Sequence, residues 1–281
     1  MKPQFGVAER FHAAAVLLFL VAPILVAMIV AFSSGNRLDF PPPGLSLRWF
    51  GVALGNELFI DGLLVSLVLA AASAVLATIA GTGAALAINH HRFRGRSLVQ
   101  AAVMLPIAMP TIVLGLGLLF TLSIYDMQPG LLPTILGHAV LGLPYVVAMV
   151  TAALASYDTS LERASLNLGA GPARTFLRVT LPLIGNGVVA GGVSAFMISL
   201  DNISLSLFIS KGDTLPLRLM QQLQSYADPS VAAIATVVVG LSAAGFLLSL
   251  AWGARRRRLV EPAPPGAAAG RPPAESKEAT A

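Results

Sequence analysis

The chain contains no cysteine. That excludes a disulfide framework, a thiolate metal site and a cysteine nucleophile. Charge is scarce as well: 11% of the 281 residues are Asp, Glu, Lys or Arg, where a soluble domain has about 25%. A Gly-rich phosphate loop of the form GxxxxGK[ST] is missing, so no nucleotide site of that kind can be built from this chain. His90 and His91 are adjacent in NHHRFRGRSLVQ and point to different sides of a helix or loop, which argues against a metal site. The sequence of the apolar segments points to no catalytic Ser/His set or paired aspartates, so an intramembrane enzyme is not the expectation.

What the chain does have is apolar length. Hydrophobic residues make up 56% of it. Stretches long enough to cross a bilayer as helix, about 20 residues, recur near 11–32, 62–88, 98–121, 134–156, 185–209 and 232–253. None alternates at period two, so they read as helices and not barrel strands. Gly, Ala and Ser are frequent inside them, as close helix packing in lipid requires. The first stretch exceeds the 7–15-residue apolar core of a signal peptide and lacks a cleavage site, so it counts as a span. The expectation is an all-α membrane protein of six transmembrane helices. It divides into a cytoplasmic tail over 1–10, a six-span transmembrane domain over 11–260 and a disordered Pro/Ala/Gly-rich tail over 261–281.

Charge placement orients the spans. With both ends inside, only Arg37, Arg48, Lys211 and Arg218 of the 18 Lys and Arg residues fall in outer loops. The bias follows the positive-inside rule, so the net charge of +5 reflects topology and suggests no nucleic-acid partner. Arg255–Arg258 read as a stop-transfer anchor.

Between the fourth and fifth stretches lies SLERASLNLGAGPARTFLRVTLPLI, Ser160 to Ile184. It reads as a hairpin of two short helices. Ser160 can cap the first, Gly169 can end it in the left-handed conformation, Pro172 suits the first turn of the second, and Pro182 would mark the break before the next span.

The hairpin resembles the cytoplasmic coupling pattern of importer-type ABC permeases: Glu-Ala-Ala, three residues, Gly, nine residues, Ile, one residue, Leu-Pro. Here Arg163, Ala164 and Ser165 hold the first positions, followed by Gly169, Val179, Leu181 and Pro182, with Glu162 one place before the pattern's glutamate. FRGRSLVQAAVMLPIAMPTIVLGLGLLF, TLPLRLMQQL and DPSVAAIAT further resemble spermidine/putrescine-type permeases, and the resemblance covers about residues 62 to 250. It implies a bacterial inner-membrane permease with both termini cytoplasmic. It also implies a cytoplasmic ATPase dimer that holds ATP and magnesium, a second homologous permease, an extracytoplasmic solute-binding protein, and no cofactor on this chain. The rival class is a secondary transporter driven by an ion gradient; it would show internal repeats and discontinuous helices with intramembrane acids, and no repeat of the first three spans is evident in the last three.

Asp201, in SAFMISLDNISLSLFIS, is the candidate for substrate chemistry, because an ionisable group at membrane depth usually faces a cavity or a partner. Asn202 and Ser204 add polar groups, and Ser204 three residues on would share a helical face with Asp201. Polyamine-type permeases often carry an acidic pair here; this chain has Asp201-Asn202, one charge fewer. Tyr145 and His138 are weaker candidates, since a lone Tyr or His in such a helix more often serves packing. Pro106 and Pro110 should bend the third stretch, and the small residues from Gly187 to Gly191 favour close helix contact.

Overall fold

The computed structural model describes residues 6–156 and 158–260. The tail expected over 261–281, Lys2 and the side chains of Arg255–Arg258 lie outside the described residues. Within them the chain is helical, apart from an isolated antiparallel bridge between Ser33 and Leu45. The helices are α1 (Val7–Ala31), α2 (Arg48–Gly55), α3 (Glu57–His90), α4 (Arg96–Ala108), α5 (Thr111–Ile124), α6 (Leu131–Ala155), α7 (Ser160–Asn167), α8 (Pro172–Thr175), α9 (Leu181–Asp201), α10 (Ile203–Ile209), α11 (Leu215–Ser225) and α12 (Ser230–Val260).

Among the described residues, five helices are long and apolar enough to span a membrane, and the bent pair α4–α5 makes a sixth if it is one span. α4 and α5 meet at 109° across Met109 and Pro110. Pro106 sits inside α4, whereas the break falls at Pro110, which has an extended backbone (ψ 129°) and leads into α5. A proline disfavours helical geometry in the residue before it, and Met109 is accordingly extended.

The centre of the bundle is α3, α6 and α9 packed on one another. Their interface is made of small residues. A Cβ added at Gly187 would lie 2.6 Å from the Ala153 Cβ and 2.8 Å from the Met149 carbonyl oxygen, and one at Gly191 would lie 2.8 Å from the Val146 Cα. The Gly187–Gly191 spacing thus brings the α9 backbone onto α6. Buried Ala77, Ala85, Val146, Val150, Ile184 and Ala195 fill the same seam. Polar cross-links are few and specific: Asn89 Nδ2 donates to Thr151 Oγ1 (3.1 Å), and Ser73 Oγ donates to the Ile135 carbonyl (3.0 Å). A second cluster, including Trp49, Phe59, Leu215 and Ile234, joins α2, α3, α11 and α12, with Val30 and Ala31 of α1. Most of α1 stays exposed, with large apolar side chains such as Phe11 and Phe19, as a lipid-facing helix would be.

The fifth span departs from expectation at both ends. It starts at Pro172, runs through a π-helical turn (Phe176–Thr180) and ends at Asp201, one helix of 30 residues. Pro182 therefore breaks nothing. A proline has no N–H to offer the carbonyl four residues back. The π turn just before it shifts the pairing, so that the Leu181 N–H reaches the Phe176 carbonyl. At the other end the helix stops at Asn202, whose backbone is extended (φ −79°, ψ 102°). Ile203–Ile209 is a separate short helix that packs on α5 through Leu205, Ile209, Leu114 and Leu118.

Candidate functional site

Two places stand out, one at each end of the 30-residue helix. At the Pro172 end, α7 lies against its first turns. Only α7 is a discrete helix here; α8 runs on into the span. Ser160 is the first residue of α7 and not its cap; Thr159 holds the N-cap position, and the Asp158 carboxylate before it accepts the Ser160 backbone N–H at 2.9 Å. That bond, with a second from the Ser160 side chain, holds the Asp158 carboxyl below its ordinary value. The helix ends in a Schellman arrangement. Gly169 is left-handed at φ +84°, its N–H meets the Leu166 carbonyl (3.0 Å), and the Ala170 N–H meets the Ser165 carbonyl (3.2 Å).

One face of α7 is tied inward. Glu162 accepts a short hydrogen bond from the Thr180 hydroxyl, and Ser165 Oγ lies 3.0 Å from Thr175 Oγ1. His90 at the end of α3 brings its Nε2 to 4.0 Å from the same Glu162 carboxylate. Arg163, at the pattern's glutamate position, is exposed, as are Ala164, Gly169 and Pro182. Val179 and Leu181 are half-buried beside the π turn. Leu161, Ala164 and Leu168 share an outer face by their helical spacing, and Leu168 is 88% exposed. The segment is thus a short helix locked behind by three hydroxyls and a carboxylate, with an apolar stripe and arginines turned outward.

At the Asp201 end, both backbone breaks converge on one cavity of about 430 Å³. Thr111, the first residue of α5, lies at its edge; Leu141 and Tyr145 come from α6, and Met197, Ile198, Asp201 and Asn202 from the end of α9. Asp201 is its charged residue and is exposed. The last-turn carbonyls of α9 add partial negative charge to that of Asp201. A half-buried Tyr145 ring supplies an aromatic wall, the kind of surface on which a cation can rest.

Asn202 lies among the residues that line the cavity and has a second role as a cap, whereas Ser204 has a different position from that expected. Asn202 Oδ1 accepts the Leu205 N–H at 2.8 Å and caps α10. Because the helix breaks there, Asp201 and Ser204 sit on different helices and share no face. Ser204 does not line the cavity. Sequence reasoning missed Thr111 and Met197; the Pro110 signal could have found the first.

His138 is a core residue, 1% exposed. Its Nδ1 lies 2.8 Å from Ser199 Oγ on α9 and its Nε2 lies 3.0 Å from Ser206 Oγ on α10.

Residues 77–258 match a family described as the binding-protein-dependent transport system inner membrane component. The chain is 32% identical over 243 residues to the putrescine transport system permease protein PotI of Escherichia coli (strain K12), which covers 83% of this chain and 85% of that one. It is 30% identical over 233 residues to the spermidine/putrescine transport system permease protein PotC of Haemophilus influenzae, with 82% and 90% covered. Among solved structures, it resembles a chain of the bacterial alginate ABC transporter in complex with an alginate pentasaccharide-bound periplasmic protein. There the TM-score is 0.61 at 17% identity, over 91% of this chain and 95% of that one.

Proposed function

The chain belongs to the family of binding-protein-dependent transport system inner membrane components and is the permease subunit of an ABC importer, and on that premise we propose that it carries a small cationic, polyamine-like solute. The observation behind this reading is the cavity at the α9–α10 break, where the Asp201 carboxylate, the α9 C-terminus and the Tyr145 ring face one space. The names of the relatives PotI and PotC support the same cargo class.

The working assembly in this reading has a second homologous permease, which closes the wall left open at Asp201. A cytoplasmic ATPase dimer binds ATP and magnesium and docks on the outer face of α7. An extracytoplasmic solute-binding protein delivers the cargo, as the periplasmic protein in the alginate transporter complex suggests. Both termini lie on the cytoplasmic side, following the Lys/Arg bias.

Transport is alternating access. The nucleotide state of the ATPases moves α7, and the contacts of Glu162 and Ser165 with Thr180 and Thr175 carry that motion into α9. The two access states must contact the ATPases differently, or ATP could shift nothing.

The test is uptake of putrescine by the reconstituted importer carrying Asp201→Asn, Asp201→Glu or Asp201→Ala. An unpaired carboxylate in a poorly solvated cavity attracts an ammonium group strongly, so the Asn variant should lose uptake with normal complex yield and the Glu variant should keep more. Near-normal uptake by the Asn variant would remove the cationic-cargo reading.

A further inference from the structure

We propose that His138 is a positioning residue for transport: it clasps the two sides of the α9–α10 break and so fixes the residues that form the cavity mouth. The inference rests on the cavity reading above.

The chain between α9 and α10 turns at an extended Asn202, and α10 is only seven residues long. Its apolar contacts with α5 fix no direction by themselves, because apolar contact is non-directional. Two polar attachments to α6 do. Near its C-terminus, the Ile209 carbonyl accepts Thr134 Oγ1 (2.9 Å) and the Gly130 N–H (2.9 Å). In its middle, Ser206 meets the His138 ring, and the other ring nitrogen holds Ser199 on α9. In sequence, Asp201 and Asn202 fall between these two serines. One rigid, buried ring therefore pins both ends of the segment that carries the cavity's carboxylate.

Imidazole suits the place. In its neutral form one nitrogen donates and the other accepts, and a hydroxyl can do either, so both tautomers satisfy both serines. A shorter amide or an apolar side chain would leave at least one of these hydroxyls without its partner, and α10 would be tied to α6 by polar contacts at its C-terminus alone.

The absence of cysteine makes the test direct. In the assembled importer, spin labels at Val140→Cys on α6 and Leu207→Cys on α10, both exposed, report the distance between these helices. The otherwise native chain should give one narrow distribution. Ser199→Ala, Ser206→Ala and His138→Asn should each broaden it, and the double serine variant should match the histidine variant. In the same complexes without labels, half-saturating putrescine should rise about fivefold for each serine variant, with the rate at saturation and the complex yield retained. If the His138→Asn complex cannot be recovered, the serine variants decide.

Distributions that overlay the native one would overturn the proposal. So would broadened distributions with unchanged half-saturation, since α10 would then be clasped without setting the mouth. A native complex that takes up no putrescine would sink the cargo assignment instead, and the distance measurements would still decide the clasp.

Discussion

Gly187→Ala adds one methyl group at the closest approach of α9 to α6. The new Cβ would sit 2.6 Å from the Ala153 Cβ and 2.8 Å from the Met149 carbonyl oxygen. Apolar carbons prefer about 3.5–4.0 Å, so the helices must part by about 1 Å. No rotamer offers escape, because both obstacles are backbone or Cβ atoms. Overpacking of this kind costs about 1–3 kcal/mol, and two simultaneous contacts place it in the upper part, about 2–3 kcal/mol. Alanine recovers about 1 kcal/mol of helix propensity over glycine. The net loss is then about 1–2 kcal/mol, or about 2–8 °C in the apparent melting midpoint. Gly83→Ala on α3 is the control: nothing lies within 4 Å of its added Cβ, so the propensity gain stands alone and the midpoint should hold or rise. Both would be measured by thermal unfolding of the purified, detergent-solubilised chain. Adding Ala153→Gly to Gly187→Ala should recover part of the loss, a coupling expected only for side chains in contact. If the Gly187 and Gly83 variants melt within about 1 °C of each other, the seam is looser than the geometry says and the reasoning fails.

Two further outcomes concern the α7 segment. Gly169→Pro should abolish putrescine uptake and solute-stimulated ATP hydrolysis while leaving membrane insertion intact, because proline cannot take the φ of +84° that ends α7; coupled uptake at the native rate would refute it. Glu162→Ala should uncouple ATP hydrolysis from uptake more severely than Arg163→Ala, since Glu162 holds Thr180 and faces His90 whereas Arg163 is exposed; the reverse order in a paired uptake and ATPase assay would place the essential contact on the outer face.

The membrane class was legible because it depends on a quantity a sequence displays directly, the length of apolar runs. The end of α7 was legible for a similar reason: a left-handed residue is a local property, and Gly169 announces it. The break at Asn202 was hidden because ISLSLFI is as apolar as the helix before it, and hydropathy registers the solvent of a segment, not its backbone path. Asn202 itself was the available sign: it lines the cavity, and its side-chain carbonyl oxygen also caps α10. Pro182 misled in the opposite sense. The rule that proline ends a helix holds for α-helical pairing, and the π turn at Phe176–Thr180 relaxes it. Arg163 occupied the right place in the spacing pattern, but which side of a helix faces inward is decided by partners remote in sequence, here Thr175, Thr180 and His90. The two serines of His138 lie 61 and 68 residues away from it, a pairing that no local reading could supply.

The continuous helix from Pro172 to Asp201 has a mechanical consequence. Its 30 residues make a rod about 45 Å long at 1.5 Å per residue. Pivoted at one end, such a rod amplifies: a tilt of about 5° at Pro172 sweeps the Asp201 end through about 4 Å, nearly the width of a methylene chain. Had Pro182 broken the helix, the same tilt would have been spent in a joint about one third of the way along it. The π turn keeps the helix continuous, so in the proposed alternating-access cycle a displacement at the α7 end would reach the carboxylate with gain instead of loss.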